Sequence, residues 1–362
     1  MVIDDVAMVR RLVIDALSID PEVQVVGVAA NGREALEKIP EVLPDILILD
    51  YEMPEMDGLE TLIEARKAFP GIRVIIFSSH TKHGAKVTLD ALWHGADDYV
   101  AKGRADNVTA ATELIRTQLL PKIKALCTRP ELSETTMAIP ASERRGVRVV
   151  VSEPRRRPSL APARAEIVAI GASTGGPRAL ATLLEGIPAD FPVPIVIVQH
   201  MPPLFTKLLA ERLATRTSLR CAEGIEGAAL RAGQIWIAPG DHHMILEREG
   251  AEIRLRLTND PPVHSCRPAV DPLFSSVAEV YGPAALGVIL TGMGHDGYKG
   301  CERIRELGGS VLAQDEASSV VWGMPGIVAR SGIADKIAPL DEITAEIVRH
   351  ASVGNRRKTP VG

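Results

Sequence analysis

The chain has 362 residues, enough for two domains with their own cores, and its 46% hydrophobic and 24% charged residues describe a folded chain. A net charge of −5 gives no electrostatic reason to bind nucleic acid, and no such partner is expected. The four cysteines (Cys127, Cys221, Cys266, Cys301) show no CxxC spacing, which argues against zinc and disulfides, and no run approaches ~18 apolar residues. A cytoplasmic protein with no direct membrane insertion is expected.

In chain order, short apolar runs alternate with helical patterns. Strands are predicted at Val23–Ala29, Ile46–Leu49, Val74–Phe77 and Asp98–Ala101. Helices are predicted at Val9–Ser18, Gly32–Ile39, Gly58–Ala68, Gly84–His94 and Ala105–Leu120. Five prolines and the Arg155-Arg-Arg157 run then mark a segment with too little apolar surface to fold. The alternation resumes with strands at Ile167–Ile170, Ile195–Gln199, Gln234–Ala238, Ala285–Thr291 and Ser310–Gln314. Helices at Leu204–Ala214 and Gly300–Leu307 lie between them. Buried β-runs alternating with helices imply the α/β class, with two doubly wound parallel sheets. The expected division is a first domain over 1–122, a flexible linker over 123–163, a second domain over 164–352 and a disordered tail over 353–362.

The first domain gathers acidic residues at strand ends. Asp4 and Asp5 close the first apolar run and Asp50 closes Asp45-Ile-Leu-Ile-Leu49, placing all three where open α/β sheets bind ligands. Clustered carboxylates repel one another unless a hard cation is present, and Mg²⁺ with a phosphate partner fits. Ser78 ends the next strand and Lys102 follows the one after, so a hydroxyl and an ammonium complete a phosphoryl-binding set around Asp50. With these residues and Asp50-Tyr-Glu-Met-Pro-Glu-Met-Asp-Gly-Leu59, the segment resembles the receiver domain of two-component response regulators. The resemblance implies a flavodoxin-like fold and phosphorylation of Asp50 by a histidine kinase. It also implies Mg²⁺ held by the acidic cluster, Ser78 and Tyr99 as switch residues, and Lys102 as the phosphate-sensing lysine. Gly103 stands where that family usually has proline.

In the second domain, Ile167-Val-Ala-Ile-Gly-Ala-Ser173-Thr-Gly-Gly-Pro177 reads as strand, tight turn and helix start. That order leaves the Ser173 hydroxyl at a sheet edge beside free helix N–H groups, a place for a nucleophile or a bound phosphate. A nucleophile needs a base and an orienting carboxylate at neighbouring strand ends. His200 follows Ile195-Val-Ile-Val-Gln199, and Asp296 lies in Gly292-Met-Gly-His-Asp-Gly297 after a third strand. His295 is adjacent to Asp296, and neighbouring side chains diverge, so it has no assigned role. His242, His243 and His264 have no apolar run delivering them to this edge.

Gly-Ala-Ser173-Thr-Gly-Gly, Gln199-His200-Met-Pro and Leu290-Thr-Gly-Met-Gly-His-Asp296-Gly resemble the motifs of the chemotaxis protein-glutamate methylesterases. The resemblance implies a Rossmann-like catalytic domain that demethylates glutamate γ-methyl esters on methyl-accepting chemoreceptors and can deamidate glutamines. Ser173, His200 and Asp296 would be the triad. Backbone N–H groups of Thr174 and Met293 would hold the oxyanion. No cofactor is expected in this domain. A chemotaxis histidine kinase would donate the phosphoryl group, and the unphosphorylated receiver would cover the esterase cleft. The alternative is a non-enzymatic response regulator binding a phosphate-bearing ligand at the Ser173 loop.

Overall fold

The computed structural model describes residues 1–79, 81–102, 108–127 and 163–352. The expected linker beyond Cys127, Gly103 and the expected tail lie outside the described residues. The N-terminal unit contains β1 (Val2–Ile3), α1 (Ala7–Leu17), β2 (Val28–Ala29), α2 (Gly32–Val42), β3 (Ile46–Asp50) and α3 (Gly58–Ala68). It continues through β4 (Arg73–Ser79), α4 (Lys82–Trp93), β5 (Asp98–Lys102), α5 (Val108–Leu114) and α6 (Leu120–Cys127), with a π-helical turn at Ile115–Leu119 between α5 and α6. The strands form one parallel sheet in the order β2-β1-β3-β4-β5.

Pleating explains the double winding. In β3, Leu47 and Leu49 face α2 and α3 in one cluster, while Ile46 and Ile48 face Val13, Leu17, Ile115 and Leu119 in another. A strand buried on both faces is a continuous apolar run, and ILILD is one. The strand expected over Val23–Ala29 shortens to Val28–Ala29, because its only partner, β1, offers two residues for pairing. At the other end, residues 123–127 are helical rather than linker, since Ile123 and Leu126 are buried in the same core.

The C-terminal unit contains β6 (Ile167–Ala172), α7 (Gly176–Glu185), β7 (Ile195–Gln199), α8 (Phe205–Ala214), β8 (Arg220–Glu223) and β9 (Gln234–Ile237). An antiparallel hairpin follows, β10 (His243–Glu249) with β11 (Glu252–Thr258), and then α9 (Val270–Tyr281). The unit ends with β12 (Ala285–Ile289), α10 (Tyr298–Glu306), β13 (Ser310–Gln314), α11 (Met324–Arg330), β14 (Lys336–Ala338) and α12 (Leu340–Ser352). Seven parallel strands take the order β14-β13-β12-β6-β7-β9-β8. α7, α8 and α12 cover one face; α9 and α10 cover the other.

Both sheets have a point where the winding reverses. In the first it lies between β1 and β3, and in the second between β6 and β12. A crevice opens at the carboxyl ends of such strand pairs. Asp4, Asp5 and Asp50 sit at the first crevice; Ser173 and the Thr291–Gly297 loop sit at the second.

Candidate active site

At the first crevice Lys102 Nζ lies 2.8 Å from Asp4 Oδ2 and 2.8 Å from Asp50 Oδ1. Carboxylate oxygens of Asp4, Asp5 and Asp50 all fall within 4.8 Å of one another. Burial pushes Asp50 up to about 6; Lys102 opposes the rise and Asp4 adds to it. Burial would lower Lys102, but Asp50 and Asp4 outweigh it and hold its pKa up. Three oxygen donors that repel one another suit a hard divalent cation, so the residues fit Mg²⁺. Gly58 matters to this geometry: a Cβ there would stand 2.3 Å from the Asp50 carbonyl oxygen, so only glycine lets the capped start of α3 close onto the end of β3. Ser78 is buried, with its Oγ donating to the Gly84 carbonyl at 3.1 Å.

At the second crevice Ser173 enters the turn between β6 and α7. Its N–H donates to the Thr291 carbonyl at 3.0 Å, and its carbonyl accepts from Gly176 N at 2.8 Å. Gly175, at φ +76°, takes the left-handed conformation that starts α7. His200 follows β7 directly. Its Nε2 lies 2.7 Å from Asp296 Oδ2. Asp296 is buried to 2% exposure, and backbone N–H groups saturate its carboxylate: Val270 N at 2.6 Å, Asp271 N at 3.0 Å and Gly297 N at 2.9 Å. Two of those donors are the first residues of α9, a helix with no side-chain cap of its own. Asp296 therefore caps α9 from the loop before α10, where the helix dipole favours a negative charge.

The electrostatics follow from this. Burial alone would raise Asp296, but His200 and the α9 N–H groups outweigh it and hold the carboxyl below its ordinary value. Burial alone would lower His200; its hydrogen bonds to Asp296 and Cys266 win, and the imidazole is pushed up to about 9. Among the described residues Ser173 Oγ makes no hydrogen bond, yet Ser173 and His200 line one cavity of about 10 Å³. The backbone N–H groups of Thr174 and Met293 have no acceptor among the described residues.

The N-terminal unit closes that cavity with Leu92, Asp98, Tyr99 and Lys122. Thr174 Oγ1 donates to Asp98 Oδ2 at 2.6 Å, and Lys122 Nζ reaches the same oxygen at 2.9 Å. The Tyr99 ring stacks on Phe205 of α8 with centroids 4.9 Å apart. Arg212 of α8 pairs with Asp90 of α4 and lies over the Trp93 ring. Val321 is buried in a cluster otherwise built from the N-terminal unit, with Met293 and Val320 packed against it.

The remaining histidines do other things. His243 is buried, accepts from Ala269 N and meets the Pro261 carbonyl, so it ties β10 to the start of α9. His264 binds Asp271 at 3.0 Å and meets the His295 ring edge-on. His264, Asp271 and Asp296 also lie within metal-ligating reach of one another, but Asp296 already accepts four hydrogen bonds and has no lone pair left for a cation.

The CheB methylesterase family matches residues 168–347, and the response regulator receiver domain family matches residues 1–113. A protein-glutamate methylesterase/protein-glutamine glutaminase of Trichodesmium erythraeum is 50% identical over 350 residues, spanning 96% of this chain and 97% of that protein. The chain belongs to the protein-glutamate methylesterase family. A second relative with the same description, from Maricaulis maris, is 44% identical over 385 residues, covering 98% of this chain and 96% of its own. The crystal structure of the Thermotoga maritima CheB methylesterase catalytic domain superposes with a TM-score of 0.50 at 42% identity, over 51% of this chain and 98% of that one. This methylesterase is thus an ester hydrolase carrying a receiver domain, which sets aside the non-enzymatic alternative. Among its described residues no helix is long and apolar enough to cross a membrane.

Three features of the site had no signal in the sequence: the α9 N–H groups under Asp296, the Cys266 thiol beside His200, and the Asp98–Thr174 bond between the units. Each joins residues at least 25 positions apart with no shared motif.

Proposed function

We propose that this enzyme hydrolyses glutamate γ-methyl esters, and deamidates glutamines, on methyl-accepting chemoreceptors, with Ser173 as nucleophile, His200 as general base and Asp296 as its orienting carboxylate. The observation that carries the reading is the 2.7 Å His200–Asp296 pair, with Ser173 on the wall of the same cavity. Asp296 holds Nε2, so Nδ1, the nitrogen left to the Cys266 thiol in this structure, is the one that would take the serine proton. Ser173 Oγ attacks the ester carbonyl, and the Thr174 and Met293 N–H groups receive the oxyanion. The imidazolium protonates the leaving methoxide, and water then cleaves the acyl-enzyme to restore glutamate. The catalytic domain needs no cofactor for these steps.

We further propose that phosphorylation of Asp50 by a chemotaxis histidine kinase switches the enzyme on. Asp4, Asp5 and Asp50 would hold Mg²⁺, which supplies charge neutralisation for the incoming phosphoryl group. Lys102 and Ser78 would hold the phosphoryl oxygens, freeing Lys102 from Asp4. Tyr99 couples that change to the cleft, because its ring sits on Phe205 and its neighbour Asp98 holds Thr174. Phosphorylation has only to favour a Tyr99 position incompatible with that stack.

The test is methanol release from methyl-labelled receptor membranes by the full chain, with and without a small phosphodonor and Mg²⁺. Ser173→Ala is expected to abolish release in both conditions; undiminished release would overturn the nucleophile. Asp50→Asn is expected to retain basal release and lose the stimulation. Stimulation that persists in Asp50→Asn would remove Asp50 as the acceptor.

A further inference from the structure

Gln199, the residue before His200, is only 2% exposed. Its Nε2 donates to the Ser173 carbonyl at 2.9 Å and approaches the His200 carbonyl at 3.5 Å. The reversed amide would point Oε1 at those two carbonyl oxygens, so the orientation is fixed by its neighbours. Oε1 has no hydrogen-bond partner among the described residues. A buried acceptor without a donor is costly and calls for a reason.

The surroundings supply one. A Cβ at Gly176 would fall 1.9 Å from Oε1, so only glycine at the first residue of α7 leaves room for this oxygen. Gln199 also lines the cavity of about 10 Å³ shared by Ser173, Thr174 and His200, room on the order of one water molecule. A methyl ester has no N–H or O–H to offer an acceptor there. Water does.

We propose that Gln199 is a positioning residue for deacylation, its Oε1 seating the water that hydrolyses the Ser173 acyl-enzyme. One water hydrogen is donated to Oε1 and the other to His200. As the water oxygen bonds to the acyl carbonyl carbon, His200 takes that second proton. The C–Oγ bond then breaks, Ser173 Oγ recovers the proton from His200, and the carboxylic acid leaves. This rests on Ser173 as the nucleophile.

The test follows methanol release and covalent receptor–enzyme adduct together, using phosphodonor-activated full chain, methylated receptor membranes and denaturing gels. In Gln199→Met, which also loses the donor to Ser173, methanol is expected in a slowed but still stoichiometric burst, with the steady rate down about tenfold or more. Adduct should accumulate and be cleared by hydroxylamine, which replaces the missing water. Gln199→Glu keeps the acceptor but loses the donor to Ser173, so it should slow the burst without accumulating adduct. Gly176→Ala, whose methyl takes the Oε1 position, should reproduce the burst and stall and carries the test if Gln199→Met does not fold. Parallel loss of burst and steady rate with no adduct in Gln199→Met and Gly176→Ala would reduce Gln199 to a brace for the turn. Adduct in Gln199→Glu would overturn the role of the acceptor. Adduct formed by Ser173→Ala would instead sink the nucleophile assignment on which the proposal stands.

Discussion

His200 carries opposing demands. A general base must be neutral, yet its contacts with Asp296 and Cys266 push it up to about 9. In the receiver-docked enzyme, basal turnover is therefore expected to climb about tenfold per pH unit from neutrality and level off near pH 9. Asp296→Asn removes the main opposing partner, so the rising limb should move toward an ordinary histidine value while the plateau rate falls. A pH–rate profile of both proteins checks this; an unmoved limb would disconnect Asp296 from the titration. The same shift has a stability consequence with a definite sign. His200 is raised on folding, so its contribution is fully present below about 6.5 and is lost as pH rises through about 9. Thermal midpoints should fall across that window, and less so in Asp296→Asn. Sequence reading placed Ser173, His200 and Asp296 at strand ends because each follows an apolar run. It could not see the thiol of Cys266 or the amide of Gln199 against them, since those contacts come from loop paths that no periodicity encodes.

At the scale of elements, α9 and α4 govern the site from opposite sides. No helix is predicted at α9 from the sequence, yet its first two N–H groups hold Asp296 in place. The inner strands of each sheet were legible because buried parallel strands are continuous apolar runs, whereas the short, partly exposed edge strands β8 and β14 were not. The β10–β11 hairpin was not, since its pattern Glu247-Arg-Glu-Gly-Ala-Glu-Ile-Arg254 mixes charge into a half-exposed pair. The end of the first unit also ran past its expected limit, where α6 buries Ile123 and Leu126. On the other side, α4 and β5 bring Asp90, Trp93, Asp98 and Tyr99 onto α7 and α8. Asp98 accepts from both Thr174 and Lys122, so Asp98→Ala removes one of the hydrogen bonds between the units and leaves Lys122 without its carboxylate. Basal methanol release without phosphodonor is expected to rise about tenfold, with stimulation compressed to match, as loss of a buried charge-assisted bond implies. Arg212→Ala should act in the same direction through the loss of Asp90 and Trp93 contacts. Unchanged basal rates in both variants would show that the docked face does not limit access.

At the scale of the whole molecule, each doubly wound sheet has its crevice at a reversal of strand order, and β5 carries Lys102 at the first and Asp98 and Tyr99 against the second unit. That both units were α/β followed from alternating patterns. That they meet through Asp98 and Tyr99 did not, because a docking face is specified by surface residues that carry no period. The single hydrogen bond from Thr174 to Asp98 has a consequence that runs backward from the usual direction of control. On the proposed function, receiver and substrate would compete for one surface beside Ser173, so whatever occupies the cleft would also favour the undocked receiver. Linkage makes the coupling equal in both senses. Saturating Ser173→Ala enzyme with methylated receptor membranes is therefore expected to raise the ratio of phosphorylated to unphosphorylated enzyme, at equilibrium with a fixed ratio of phosphodonor to its dephosphorylated product, by the factor with which phosphorylation tightens receptor binding. Phosphoprotein gels alongside binding isotherms would measure the two factors, and unequal values would break the competition. The methylated receptor would then be an effector of the aspartate at the far end of the sheet as well as a substrate of the serine.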